Sequence, residues 1–550
     1  MKKTIITNCI FLIYQTFLFG QTTDIVKSEG ITSPLHQKNI GKITFMGSPI
    51  DIENYKEIDF LTSFTIKDTT DFNLRVYLGN SLTNYLHPLA KDLAVDDLVS
   101  KGNFQFSFYF DDKLLYKENL NVGAFGKENK NTRTVFRVPL ISSTNEDHWG
   151  RFLWNRFLLR GGEDALTEGT HKMKIEIRPY LKIADLVVGE KIAEGQIDII
   201  VPKHNVSENQ IAVQKILQNS GWPISSESID KIKIRELNRQ IAINKFKSIT
   251  SIIVIKDGKL LLEEYFNNAN RNSLHDTRSV GKSFASALTG IAIKDKYLKS
   301  ETQKLNEFYS LNDFKNPSAI KENISIKNLL TMSAAFDGSD MNESSLGHEE
   351  NMYPTENWVK FTLDLPLDSA KMNGKQWDYF TAGVVLLGDI LNKSVPNGLE
   401  KYAHKKLFMP LAIKNYKWQY TPQKVANTAG GLEMNALDFA KFGQLYKNNG
   451  VWNKQQILSK DWVAKSLSHQ IQIPESEHEF YGYLFWNKTY SVNSKQYETY
   501  YSSGNGGNKI FIFKDQPLII VITSTAYNTP YGHSQVDKIM QNYLLPALTK

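Results

Sequence analysis

Apolar and polar positions alternate with a period of two through much of residues 42–202. In "FQFSFYFDDKLLYKENL", Phe104, Phe106, Phe108 and Phe110 fall on one face, Asp111 and Asp112 supply a turn, and a second strand follows. This predicts a hairpin with one buried side. The runs "NLRVYLG", "TRTVFRVPL", "GTHKMKIEIRP" and "GQIDIIVP" repeat the pattern. Several short strands at this spacing predict an all-β, sandwich-like domain over 42–202, interrupted by one helical insert at "DHWGRFLWNRFLL". Trp149 and Trp154 stand at helical spacing within that insert, which favours packing over a sugar-binding platform.

Past a connector at 203–227 the pattern changes. "SIDKIKIRELNRQIAI" predicts a helix capped by Ser228 or Asp230, with Ile232, Ile234, Leu237 and Ile241 on its apolar face. "ITSIIVIKDGKLLLEEYF" reads as two strands joined across Asp257-Gly258. Far along the chain, "NKIFIFKDQPLIIVITS" is another hairpin and "SQVDKIMQNYLLPAL" a closing helix. The stretch between is mostly helix and loop. Residues 228–550 therefore predict an α/β (α+β) domain, with an antiparallel sheet built from its two ends, flanking helices and an all-helical insert.

With 550 residues, 41% apolar and 22% charged, the chain has the composition of a multi-domain globular protein. Its net charge of +7 is spread among interspersed lysines and acids, so nucleic-acid and membrane binding are not expected. "MKKTIITNCIFLIYQTFLFG" has two lysines before an apolar run and reads as a signal peptide over 1–20, followed by a linker over 21–41. The expectation is a secreted or periplasmic protein with no membrane-integral segment after cleavage. The single cysteine, Cys9, falls inside the signal, which leaves the mature chain without a disulfide or a thiol nucleophile. The histidines show no ligand spacing, so neither metal nor cofactor is expected.

The stretch "DTRSVGKSFASALTG" can be read two ways. Its "GKS" ends a phosphate loop, but the head glycine of such a loop is replaced here by Asp276, whose carboxylate would repel a polyphosphate. Its "SVGK" is S-x-x-K. A helix starting at or just after Ser279 puts Ser279 and Lys282 one turn apart on one face, and a partly desolvated lysine can act as the base for a serine nucleophile. His275 is read as structural, and no G-x-S-x-G elbow is present.

Neighbouring segments extend the second reading. "HDTRSVGKSFASALTG", "ISIKNLLTMSAA", "NTAGGLEMNALDFAKFGQLYKNNG", "YGYLFWN" and "SSGNGGNKIFIF" occur in the order seen in the serine β-lactamase-like superfamily, which the chain resembles from about Ser228 to Lys550. That superfamily includes class C β-lactamases, penicillin-binding peptidases and related esterases. The resemblance implies that Ser279 is the nucleophile, with Lys282 and Tyr379 moving its proton and Tyr379 held partly as phenolate. In "YFT", Thr381 stands where the family has asparagine. The third motif falls on "SSG", where Ser502 replaces the usual lysine or histidine, and Ser503 and Gly504 complete the substrate-facing strand. The oxyanion hole would be the backbone N–H groups of Ser279 and Asn505. Because the missing cation commonly holds a substrate carboxylate, the implied substrate is an uncharged small-molecule, peptide or glycan ester or amide rather than a penicillin. Two alternatives stay open: a non-catalytic binding or regulatory protein on the same fold, and an accessory esterase guided to a glycan by the β-domain.

Overall fold

The computed structural model describes residues 24–66, 70–202, 206–474 and 476–549. The expected signal peptide, with Cys9, lies outside the described residues. The N-terminal strands are β1 (Ile43–Met46), β2 (Ser63–Thr65), β3 (Phe72–Tyr77), β4 (Gly102–Phe110), β5 (Lys113–Asn119), β6 (Val135–Ile141), β7 (Gly169–Lys182), β8 (Leu186–Val188) and β9 (Ala193–Val201). One sheet runs β1-β3-β6 and the other β2-β9-β7-β4-β5, with β8 beside β7. Apart from β2, which lies parallel to β9, the pairings within these two sheets are antiparallel. Both sheets turn apolar side chains into one core, Phe45, Phe72 and Val138 from the first and Phe104, Phe106, Phe108 and Ile175 from the second.

The β4–β5 hairpin turns at Asp111 and Asp112, both with positive φ, as a tight turn matched to strand twist requires. Its second face departs from expectation, because Gln105 and Ser107 are buried as well. They lie between Asn119 and Lys117 of β5 and Arg178 and Glu176 of β7, whose long side chains shield them. Helix α1 (Trp149–Phe157) packs on this core: Trp149 contacts Phe106 and Phe125, and Trp154 contacts Phe72 and Phe157. Both tryptophans are packing residues. Residues 24–41 lie against the same region, with the Ile25 and Val26 amides donating to Asn84 Oδ1 and the Thr134 amide to Glu29.

In the C-terminal region, α2 (Lys231–Ala242) is capped by Asp230, which accepts from the Ile232 and Lys233 amides. Its buried stripe is Ile234, Leu237 and Ile241; Ile232 is 80% exposed, because it stands two residues, more than half a helical turn, before the stripe begins. The principal strands are β10 (Ile249–Lys256), β11 (Lys259–Tyr265), β12 (Trp486–Val492), β13 (Lys495–Gly504), β14 (Asn508–Phe513) and β15 (Leu518–Ser524). They form an antiparallel sheet in the order β11-β10-β15-β14-β13-β12, extended by the short strands Phe480–Tyr481 and Ile471–Gln472.

Successive residues of this sheet feed opposite cores, as the strand period dictates. Ile252, Val254, Phe511, Ile520 and Ile522 meet α2 and the closing helix α6 (Gly532–Ile539). Ile253, Ile255, Ile510, Ile512 and Val521 meet the larger helical side, which holds α3 (Gly281–Lys294), α4 (Thr381–Ser394) and α5 (Ala436–Lys447). Among the described residues no helix is long and apolar enough to cross a membrane.

Candidate active site

Ser279 lies in the tight turn Arg278–Val280 that leads into α3. Small and apolar residues, "GKSFASALTGIA", let this helix run buried from Gly281 to Ala292, with Phe284 stacked on Phe442 of α5 at 3.8 Å. Such a helix holds its first turn rigidly. The one-turn spacing brings Lys282 Nζ to 2.8 Å from Ser279 Oγ, and the same nitrogen donates to the Ala429 carbonyl at 2.6 Å. Lys282 is 2% exposed. Burial lowers its pKa to about 8, while Glu349 and Asp340 nearby oppose the shift.

Tyr379, just ahead of α4, has its ring 5.1 Å from Lys282 Nζ and is stacked against Trp486. Its hydroxyl hydrogen-bonds Ser279. Burial raises the phenol's pKa above its ordinary value, the Ser279 bond opposes this only in part, and Asp340 and Glu349 reinforce it. Burial therefore works against the phenolate character expected of this group. Thr381, where the family has asparagine, is engaged with Asp340. Its amide donates to Asp340 Oδ2 at 2.6 Å, and the lysine's second bond goes to a backbone carbonyl. Burial and the neighbouring Glu349 push Asp340 up to about 7. Although burial works against it, Arg151 and Lys282 hold Glu349 below the usual carboxylate range, and Tyr353 donates to it at 2.6 Å.

The third segment ends β13. Ser502 is fully buried, Ser503 is half-buried, and Gly504 passes so close to the serine turn that a Cβ would stand 1.8 Å from Thr277 O and 3.1 Å from Ser279 N. Only glycine fits there. Asn505 follows, its side chain fixed by a bond to Asn528 Oδ1 at 2.5 Å and one from the Asn528 amide at 2.8 Å. Ser279, Thr381, Gly430, Glu349 and Asn505 line one small cavity of about 40 Å³. Asp147 and Arg151, from the N-terminal region, line it too. His275 takes no part: it sits on a short strand paired with Met434, with Nδ1 3.2 Å from Thr250 Oγ1, and burial lowers its pKa to about 4.

Sequence reasoning missed Asp340, Glu349, Ala429, Asp147 and Arg151. The run "DGSDMNESSLGHEEN" signalled clustered acids, but a backbone carbonyl and a side chain reaching in from another region leave no local pattern.

These charges predict a pH profile. If neutral Lys282 takes the serine's proton, kcat/KM for an uncharged ester should rise with pH through a midpoint near 8, well below an ordinary lysine. Glu349→Gln removes a carboxylate that favours the ammonium form, so the midpoint should move to lower pH. A midpoint unmoved or raised in that variant would contradict the assignment.

Three solved structures resemble the chain at low identity. A penicillin-binding protein homologue from Pyrococcus abyssi is 19% identical, covering 56% of this chain and 76% of that one, with a TM-score of 0.44. The hydrolase EstCE1, with promiscuous acyltransferase activity, is 13% identical over 57% and 96%, with a TM-score of 0.47. A D-stereospecific amidohydrolase from a Streptomyces species is 13% identical over 52% and 92%, with a TM-score of 0.40. No curated protein matches the chain. Residues 249–541, more than half of the sequence, match the family model described as Beta-lactamase, and the chain belongs to that family.

Proposed function

We propose that this protein is an exported serine hydrolase that cleaves an uncharged ester or amide through an acyl-enzyme on Ser279. The observation that carries the reading is the buried 2.8 Å contact between Ser279 Oγ and Lys282 Nζ, with the lysine's pKa lowered. Ser279 Oγ attacks the carbonyl carbon and its proton passes to neutral Lys282. The oxyanion is met by the Ser279 and Asn505 backbone N–H groups. On collapse, the Tyr379 hydroxyl protonates the leaving group and recovers a proton from the Lys282 ammonium. Water then attacks the acyl carbon, gives one proton to Lys282, and releases the acid while Ser279 regains its hydrogen.

Two features support an uncharged substrate. "SSG" brings no cation, and the arginines beside the cavity are already paired, Arg151 with Asp147 and Glu349, and Arg278 with Asp147 and Asp276. Residues 1–20 are read as the export signal and the two N-terminal sheets as a sandwich-like domain. A fluorophosphonate probe tests the mechanism: the wild type should be labelled at Ser279 and Ser279→Ala should not. Labelling of both, or of neither, would refute it.

A further inference from the structure

Arg278, the residue immediately before Ser279, has φ = +52°. A side chain with a Cβ is disfavoured in that left-handed region. Something must hold it there, and the surrounding bonds show what. Locally, the Arg278 amide donates to Asp276 Oδ1 at 2.9 Å. The rest comes largely from the N-terminal region. Arg278 Nη1 donates to Asp147 Oδ1 at 3.1 Å, Nη2 donates to the Asn145 carbonyl at 2.8 Å, and Asn145 Nδ2 donates to Asp276 Oδ2 at 3.0 Å. Asp147 is itself anchored by Arg151 Nη1 at 2.7 Å, and Arg151 Nη2 donates on to the Tyr353 hydroxyl at 2.8 Å. Asn145, Asp276, Arg278 and Arg151 are all buried, so these charge-assisted bonds act where water competes little.

We propose that the turn Asn145–Asp147 of the N-terminal region is a positioning element for the catalytic serine: it clasps Arg278 and keeps the backbone entering Ser279 in its left-handed conformation. The proposal rests on the reading of Ser279 as nucleophile given above. Without the turn, the Arg278 guanidinium keeps a 3.6 Å contact from Nε to Asp276 and its place over the Tyr527 ring at 5.5 Å but loses both of its hydrogen bonds, and less holds the backbone against relaxing to negative φ. That relaxation would swing Ser279 Oγ away from Lys282 and its N–H away from the Asn505 side of the cavity. Misplacement of a nucleophile by about 1 Å is enough to cost about a hundredfold in rate. The β-rich region is on this view part of the catalytic apparatus of its neighbour, and neither Asn145 nor Asp147 need touch the substrate.

The test separates backbone geometry from charge. In the full-length protein, the rate of fluorophosphonate labelling at Ser279 and the kcat and KM for a p-nitrophenyl ester are measured for Asp147→Ala, Arg278→Ala, Arg278→Gly and the double variant Asp147→Ala/Arg278→Gly. Asp147→Ala should slow labelling and lower kcat by about ten- to a hundredfold, with KM within about threefold. Glycine adopts positive φ freely, so Arg278→Gly should outperform Arg278→Ala, and the double variant should recover about tenfold over Asp147→Ala. Wild-type labelling rates in Asp147→Ala, or equal losses in Arg278→Ala and Arg278→Gly, would overturn the proposal while leaving Ser279 as the nucleophile. If Asp147→Ala does not fold, the alanine and glycine variants at 278 decide the matter alone. Failure of the wild type to label at all would remove the nucleophile reading and this proposal with it.

Discussion

Lys282→Met is expected to lower kcat/KM for an uncharged ester by about a thousandfold, within the range general bases contribute. The substitution keeps an unbranched side chain of similar length in a site that is almost wholly buried. What it removes is the nitrogen at 2.8 Å from Ser279 Oγ. A serine hydroxyl alone is a poor nucleophile at neutral pH, so labelling by a fluorophosphonate should fall in step with turnover. Because serine and lysine act as one unit, adding Ser279→Ala to Lys282→Met should cost little beyond the worse single variant. The melting temperature separates this loss from unfolding: it should stay within about 5 °C of the wild type. Turnover within about tenfold of the wild type would show that some other group takes the proton.

Gly504→Ala is the second large expected effect, and it arises without any change of chemistry. The new methyl would stand 1.8 Å from Thr277 O and 3.0 Å from Thr277 C. Both are backbone atoms that cannot rotate aside, so β13 must retreat from the serine turn. That retreat carries the Asn505 amide away from the carbonyl oxygen it is assigned to hold, and loss of one such donor costs about 100- to 1000-fold in kcat. Overpacking should also lower stability by about 1–3 kcal/mol. Gly281→Ala is the matched control. Its Cβ would meet Gly430 at ordinary distances of 3.5–3.6 Å, and alanine is a better helix former, so activity and stability should both be retained. Equal activity in the two variants would show that the close approach of Gly504 is not used.

Much of the site could be read from local spacing. Ser279 and Lys282 share a helical turn, and Gly504 marks a strand end that must approach another backbone; each is a property of a few consecutive residues. The hairpins at Asp111-Asp112 and Asp257-Gly258 were legible for the same reason, since all four residues have the positive φ that such turns require. Ile232 was misplaced because an apolar residue near a helix start fits the composition of the stripe without fitting its angle. The charged surroundings were hidden for a different reason. Asp340 and Glu349 act on Lys282 and Tyr379 only through a fold that brings three separate segments together, and the upward shift of the Tyr379 phenol comes first from burial, which no motif states.

The sheet that carries the site has a further consequence for how the protein comes to life. Thr250, on β10, meets Thr523, on β15, at 2.7 Å across 273 residues of sequence. A closure of that span is slow, and on a growing chain β10 must wait for nearly all of the domain to be made before its central neighbour exists. The strand that presses Gly504 against the serine turn is equally late. The Ser279 segment therefore emerges well before the strand end that packs against it, and the proposed site can be completed only once β13, β14 and β15 have been made.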